Sequence, residues 1–99
     1  MLNDDLYAPD EFRLIDDEAR RIRGDRGAIR GSFKRILAQD GVSWGIILGM
    51  PPVPASTVSL MLAAEKIIRA ARAPRFNPDD YLDGRNYLDF AHILAKEGL

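Results

Sequence analysis

The segment Met50-Pro51-Pro52-Val53-Pro54 constrains the fold of this chain most, because no helix can continue through it. Each proline fixes its own φ and lacks the backbone N–H that a helix interior needs. Helices must therefore end before this segment and begin after it. On both sides of the segment apolar residues recur at helical spacing, and no alternating strand pattern of useful length is present.

The half of the chain before the prolines predicts helices over residues 9–23 and 32–49. In the first, acidic residues come early and arginines come late, as the helix dipole favours, and Gly24 is suited to end it. Its apolar face is formed by Phe12, Ile15, Ala19 and Ile22. The second helix begins near Ser32 and extends to Gly49. Gly41 interrupts it, so one bent helix and two short helices both fit the pattern.

The half after the prolines begins with the most apolar helix, which we expect over residues 55–72. Strong helix formers dominate this segment, with Ser56 or Thr57 as its cap. One stripe consists of Val58, Met61, Leu62, Glu65 and Ile68, and another of Leu60, Ala64, Ile67 and Ala71. So much apolar circumference predicts a central helix that is buried on more than one side.

The last helix has the clearest start in the chain. Asn77 is a suitable N-cap, Pro78 occupies the first helical position, and Asp80 at the third resembles a capping box. Tyr87, Phe90, Ala91 and Leu94 provide its core face, and Gly98 its end. Together the four segments predict an all-α, four-helix-bundle-like fold.

Composition limits the class of protein further. Ninety-nine residues are enough for one domain, which we place at residues 1–99 with residues 1–8 as a flexible arm. The chain has no cysteine and no signal peptide, so we expect a cytoplasmic protein that does not enter membranes. A net charge of −1 gives no general attraction to nucleic acid, which makes DNA an unfavoured partner.

Carboxylates at the start of the last helix are candidates for metal binding. Asp79, Asp80 and Asp83 are three or four residues apart and can share one side of the helix, and Glu65 on the preceding helix could complete the set. Mg²⁺ prefers carboxylate oxygens. Helix capping explains Asp79 and Asp80 fully and Asp83 less well, and a salt bridge to Arg69 or to an arginine of the first helix would explain Glu65.

Basic and aromatic residues suggest a phosphate-bearing ligand. Lys66, Arg69 and Arg72 lie on the same helix as Glu65 and are candidates for phosphate contacts. A second basic block, residues 20–35, could bind phosphate or DNA, or pair with the acidic residues 4–18. Three aromatic residues could stack on a base or fill the core: Trp44, Tyr81 and Tyr87. The single histidine, His92, cannot build a zinc site alone.

Several short stretches follow one another in a distinctive order. They are Gly24-Asp25-Arg26, Gly31-Ser32-Phe33-Lys34-Arg35-Ile36, Ile47-Leu48-Gly49, Val58-Ser59-Leu60-Met61, Lys66-Ile67-Ile68-Arg69 and Asp79-Asp80-Tyr81-Leu82-Asp83 with Tyr87. Over about residues 17–95 this order resembles small phage-type MazG-like proteins. Their closing motif is similar to Asp79, Asp83 and Tyr87 here, with Asn86 in the place of a glycine.

The resemblance implies an all-α protein, dimeric or higher, related to Mg²⁺-dependent nucleotide pyrophosphatases. Such enzymes hold the metal between a Glu-x-x-Glu helix and a Glu-x-x-Asp helix. This chain has no Glu-x-x-Glu, and only Asp80 and Asp83 match the second pair, with Asp79 and Glu65 as further candidates. We therefore expect a catalytically degenerate protein that binds nucleotide or Mg²⁺. The alternatives are an active nucleoside triphosphate pyrophosphohydrolase and a helical module that binds DNA or a host protein.

Overall fold

The computed structural model describes residues 9–30 and 32–99, with side chains for residues 10–27 and 32–99. These residues form four α-helices and no strand: α1 (Pro9–Arg30), α2 (Phe33–Leu48), α3 (Ala55–Arg72) and α4 (Pro78–Lys96). The prediction of an all-α, four-helix-bundle-like fold is confirmed. The arm expected at residues 1–8 lies outside the described residues. No helix in the described ranges combines the length and the apolar character that a membrane crossing needs.

Helix α1 is longer than the sequence predicts. The prediction that it ends at Gly24 is wrong, because the helix continues through this glycine to Arg30. Ion pairs on its surface span the position: Arg21 contacts Glu18 in the preceding turn and lies 2.9 Å from the Asp25 carboxylate in the next. Such pairs stabilise a helix that glycine weakens. The hydrogen bonds from Arg21 also lower the pKa of Glu18.

Helix α2 is a single helix, which decides between the two alternatives left open by its sequence. It ends at Leu48 and is capped by Gly49, which adopts the left-handed conformation at φ 68°. Gly41 does not interrupt it. A Cβ at Gly41 would clash with the carbonyl oxygen of Val53, whose N–H donates to the Gly41 carbonyl at 3.0 Å. Glycine is needed there for the close approach of the proline segment.

Helices α3 and α4 form an antiparallel pair joined by a short loop. Asn77 caps α4 as predicted, and its side chain accepts a hydrogen bond from the Asp79 N–H at 3.1 Å. Ser59 on α3 donates to the Tyr87 carbonyl at 2.6 Å. Further along, a Cβ on Gly84 would lie 3.3 Å from the Lys66 Cβ, so the two helices are in close contact.

The core has two parts of unequal size. The larger joins α2, α3, α4 and the proline segment, and its buried residues are Leu37, Val53, Ala55, Val58 and Leu94. Phe33, Trp44, Leu62 and Phe90 are packed around them. The smaller part consists of Ala19, Ile22 and Leu82, and holds α1 against α4. Helix α1 is therefore the least deeply anchored of the four.

Within one chain, α3 is not buried on more than one side, contrary to the expectation from its sequence. The face that it buries contains Ala55, Val58, Ser59 and Ala63. Leu60, Met61, Ile67 and Ile68 keep between 51% and 58% of their surface exposed. The helix therefore presents an apolar face to solvent as well as to the core.

Candidate ligand-binding cleft

A cleft of about 990 Å³ opens between α1, α2 and α4. This volume is in the range of small-molecule sites in proteins. Its lining combines charged and polar residues with aromatic and aliphatic ones, and Leu62 of α3 also contributes. The polar members are Arg20, Arg23, Arg26, Ser32, Asp40, Asp83, Asn86, Asp89 and His92. The apolar members include Phe33, Ile36, Leu37, Leu62, Tyr87 and Phe90.

Three arginines of α1 line the cleft at intervals of three residues, which places them on adjacent turns of one helical face. Arg23 donates to the Asn86 side-chain oxygen at 2.8 Å and lies 3.4 Å from the Asp89 carboxylate. Arg26 contacts the carboxylate of Asp83. Arg20 is exposed and has no ion-pair partner among the described residues. The arginines therefore pair mainly across to α4, and less with the acidic residues near the start of the chain.

Asp83 is the most unusual polar residue of the cleft. Its side chain is almost wholly buried, and its Oδ2 accepts a hydrogen bond from Arg26 at 3.2 Å and lies 3.7 Å from Lys66 Nζ. Its Oδ1 lies 2.9 Å from Arg26 Nη1, so the guanidinium group faces both carboxylate oxygens, although the Oδ1 contact lacks ideal hydrogen-bond geometry. Asp83 is thus a buried carboxylate that is held by an ion pair on each side.

The other predicted metal and phosphate residues are divided between two environments. Asp80 is buried, and its carboxylate lies 3.5 Å from Arg69 Nε on α3. Asp79, Glu65 and Arg72 are exposed on the outer surfaces of their helices. The structure therefore brings Asp80 and Asp83 to face Lys66 and Arg69, and leaves the remaining three residues apart from them.

Asn86 is a residue of the site that the sequence did not single out for function. It is 5% exposed and bridges to α1 twice. Its side-chain nitrogen donates to the Ala19 carbonyl at 3.0 Å, and its oxygen accepts from Arg23. The signal available was its place at the position of a glycine in the MazG-like proteins that the sequence resembles, and this does not indicate which helix Asn86 contacts.

Aromatic rings form part of the lining of the cleft. Phe33 of α2 stacks on Phe90 of α4 with ring centroids 4.2 Å apart, and Tyr87 meets Phe90 edge-on. Of the three aromatic residues considered for base stacking, Tyr87 lines the cleft. Trp44 packs against the core, and Tyr81 lies elsewhere on α4, beside Phe76.

The carboxylates of the site fit Mg²⁺ poorly. A hard divalent cation is held by several oxygen ligands, most of them free to turn toward the metal. In the described part of the chain, no three acidic or histidine side chains come together as a metal-binding group. Asp83 already faces two cationic side chains and Asp80 one. These positive charges occupy the positions that a metal ion would need and repel it.

Comparison of the chain with protein-family models, with curated proteins and with solved structures finds no match to any of them.

Proposed function

We propose that this chain binds a nucleotide-like phosphorylated ligand in the cleft and does not turn it over. A MazG-like relationship of phage type, with its catalytic function lost, is part of this proposal. The observation that supports it best is the meeting of two kinds of group in one cleft: a row of arginines and a pair of stacked aromatic rings.

The arginine row is suited to phosphate oxygens. A guanidinium group presents several N–H donors in a plane and can hold a phosphate through two parallel bonds. Arg20 has no ion-pair partner among the described residues, so binding an anion would break no existing ion pair there. Arg23 uses only one of its terminal nitrogens in the contacts with Asn86 and Asp89. Both arginines can thus contact an anion while the contacts with α4 persist.

The aromatic wall is suited to a flat ring. Phe33, Tyr87 and Phe90 present a mainly apolar surface, and aromatic pairs gain stability from offset stacking and edge contacts. A purine or pyrimidine base would bury its faces against this wall. Its phosphates would then extend toward α1.

The aromatic side chains add a requirement for a ring on the ligand. Inorganic phosphate has no ring to place against them, so the site favours a nucleotide over a simple anion.

Hydrolysis is not part of the proposal, because the carboxylates that would hold a catalytic metal are paired with Arg26, Lys66 and Arg69. Mg²⁺ binding stays a prediction that titration tests directly. Self-association and a cytoplasmic location likewise stay part of the proposal. The former is supported by the apolar face that α3 leaves exposed, and the latter by the absence of cysteine.

Isothermal titration calorimetry tests which ligand the protein binds. We expect a nucleoside triphosphate to bind the protein in the presence of EDTA, and inorganic phosphate to bind at least tenfold more weakly. Arg20→Ala should weaken nucleotide binding about tenfold, since charge-assisted hydrogen bonds contribute roughly 1.5–3 kcal/mol. Arg35→Ala is the matched control, because this exposed residue of α2 lies outside the cleft.

The outcomes of the titration separate the alternatives. No binding of any nucleotide, or equal loss in both arginine variants, would refute the proposal. Binding that requires Mg²⁺, with release of pyrophosphate, would replace it with the active enzyme. A mobility shift of duplex DNA that weakens steeply with salt would favour the DNA-binding module instead.

A further inference from the structure

An apolar stripe runs along the outer face of α3, away from the core. We define the α3 stripe as Leu60, Met61, Ala64, Ile67 and Ile68, all of which are exposed. Leu60, Ala64 and Ile67, with Ala71 beyond them, are spaced by four, three and four residues. This is the spacing of a coiled-coil seam, in which one helix packs along another.

The order of large and small side chains in the α3 stripe is the same in both directions along the helix. Leu60 and Met61 lie four and three residues before Ala64, and Ile67 and Ile68 lie three and four residues after it. Two large side chains thus flank one small side chain on each side. A two-fold axis through the Ala64 position would superimpose this arrangement on itself, which is the condition for an isologous interface.

We propose that the α3 stripe is the centre of a two-fold symmetric interface between two copies of this chain. The proposal goes beyond ligand binding, and it rests on the self-association proposed above. The two α3 helices would run antiparallel and cross at Ala64. The small side chain there allows the helix axes to approach to about 8 Å, the short end of the usual range.

The two-fold symmetry determines which side chains meet. Because the two helices run in opposite directions, a residue three positions after Ala64 on one helix lies beside the residues three or four positions before Ala64 on the other. Leu60 therefore packs against the partner's Ile67, and Met61 against the partner's Ile68. Each large apolar side chain of the α3 stripe finds a large apolar neighbour, and Glu65, which lies between Met61 and Ile68 along the helix surface, flanks the seam.

The apolar surface continues from α3 onto α4. A shallow groove between the two helices is lined by Ile67, Ala71, Tyr81 and Leu88 together with the charged residues Asp80 and Arg85. The α3 stripe, Tyr81 and Leu88 include six large side chains that are 46–58% exposed. These six would form the apolar centre of the interface. Because a stable dimer buries about 800 Å² per partner, the polar residues around them would form its rim.

Cross-linking tests the axis. The chain has no cysteine, so a single introduced thiol can pair only with its own symmetry mate. At the crossing point the two Cα atoms of residue 64 would lie roughly 3.5–5.5 Å apart, which overlaps the range of disulfides. Residue 67 would lie about 9 Å from its mate along the helix axis. Under mild oxidation Ala64→Cys should give mostly covalent dimer, and Ile67→Cys mostly uncross-linked chain.

Exchange of charges tests the pairing. Leu60→Lys and Ile67→Glu alone should each weaken dimerisation at least tenfold in sedimentation experiments, because each buries unpaired charges at the seam. An equimolar mixture should recover dimer, since one introduced lysine then faces one introduced glutamate and the second contact stays apolar. Ile46→Glu is the control: Ile46 is more exposed, on α2, and outside the α3 stripe.

The results distinguish the proposals from one another. A monomer at high concentration would refute both self-association and the α3 stripe as its interface. A dimer that Ile46→Glu dissociates, while Leu60→Lys and Ile67→Glu do not, would overturn only the assignment of the surface. A dimer in which Ile67→Cys cross-links in place of Ala64→Cys would overturn the two-fold axis. None of these outcomes bears on the nucleotide titration.

Discussion

Asp83 is buried between two cationic side chains. Arg26 approaches it from α1 and Lys66 from α3, and Arg26 is half exposed. Buried charges are normally paired and hydrogen-bonded, because desolvation of an ion is costly. The residue therefore links three helices.

Replacing Asp83 with asparagine tests its contribution to stability. Asp83→Asn should destabilise the protein by about 1–2 kcal/mol, because it leaves Lys66 and Arg26 without a counter-charge; solvent around Arg26 keeps the loss below that of a fully buried pair. Urea denaturation followed by circular dichroism measures the stability.

Asp79→Asn is the matched control, on the exposed side of the same helix. It removes only an interaction with the helix N-terminus, which contributes about 0.5 kcal/mol. Equal losses of stability in the two variants would mean that the buried ion pairs of Asp83 contribute nothing beyond helix capping.

Among the elements, most helix bounds were readable from the sequence, but the end of α1 and the continuity of α2 were not. Helix α3 begins at Ala55 directly after Pro54, without the side-chain cap expected from Ser56 or Thr57, and α4 begins at Pro78 after its cap Asn77. Gly24 and Gly41 both suggested an interruption, yet each lies inside a helix. The reason differs between them: Gly24 has open space around it, whereas Gly41 is contacted by the backbone of the proline segment. Such tertiary contacts cannot be read from local spacing.

The two glycines therefore predict opposite effects of the same substitution. Gly24→Ala should stabilise the protein by about 0.5–1 kcal/mol, because alanine is the better helix former and meets nothing there. Gly41→Ala should destabilise it by about 1–3 kcal/mol, because the added methyl group clashes with the Val53 carbonyl and forces helix and loop apart. Thermal denaturation shows whether each substitution raises or lowers the melting temperature. A stable Gly41→Ala protein would show that the loop can move away at little cost.

The N-cap of α4 gives a prediction that does not depend on contacts with other helices. Asn77 is exposed, and its side chain satisfies one N–H group of the first turn. Asn77→Ala should cost about 1 kcal/mol, and Asn77→Asp should cost little, since aspartate caps equally well. Chemical denaturation checks the order of the three proteins. If the alanine and aspartate variants were equally stable, the hydrogen bond to the Asp79 N–H would contribute nothing.

At the scale of the whole molecule, the sequence predicted the helical class and the carboxylates of α4 but not the partner of those carboxylates. Asp80 and Asp83 were correctly placed on one side of α4, and Lys66 and Arg69 on α3. The contribution of α1 was missed, because nothing in local spacing shows that its arginines lie across from Asp83, Asn86 and Asp89. Pairing between distant helices depends on how they dock, and α1 docks largely through these polar contacts.

This mode of docking makes α1 the helix whose stability should respond to ligand. Its apolar anchor is a cluster of three residues, whereas α3 and α4 share the larger core. Without ligand, the amides of α1 should therefore exchange with deuterium faster than those of α3 and α4, because local opening costs least where few apolar contacts are lost. A nucleotide held between the arginines and the aromatic wall would have to be released before α1 could open. It should slow exchange in α1 by about the factor 1 + [L]/Kd, and Arg20→Ala should reduce this protection while Arg35→Ala leaves it unchanged. Protection confined to α3 and α4 would mean that the ligand binds without α1, and the arginine row would then have no part in the site.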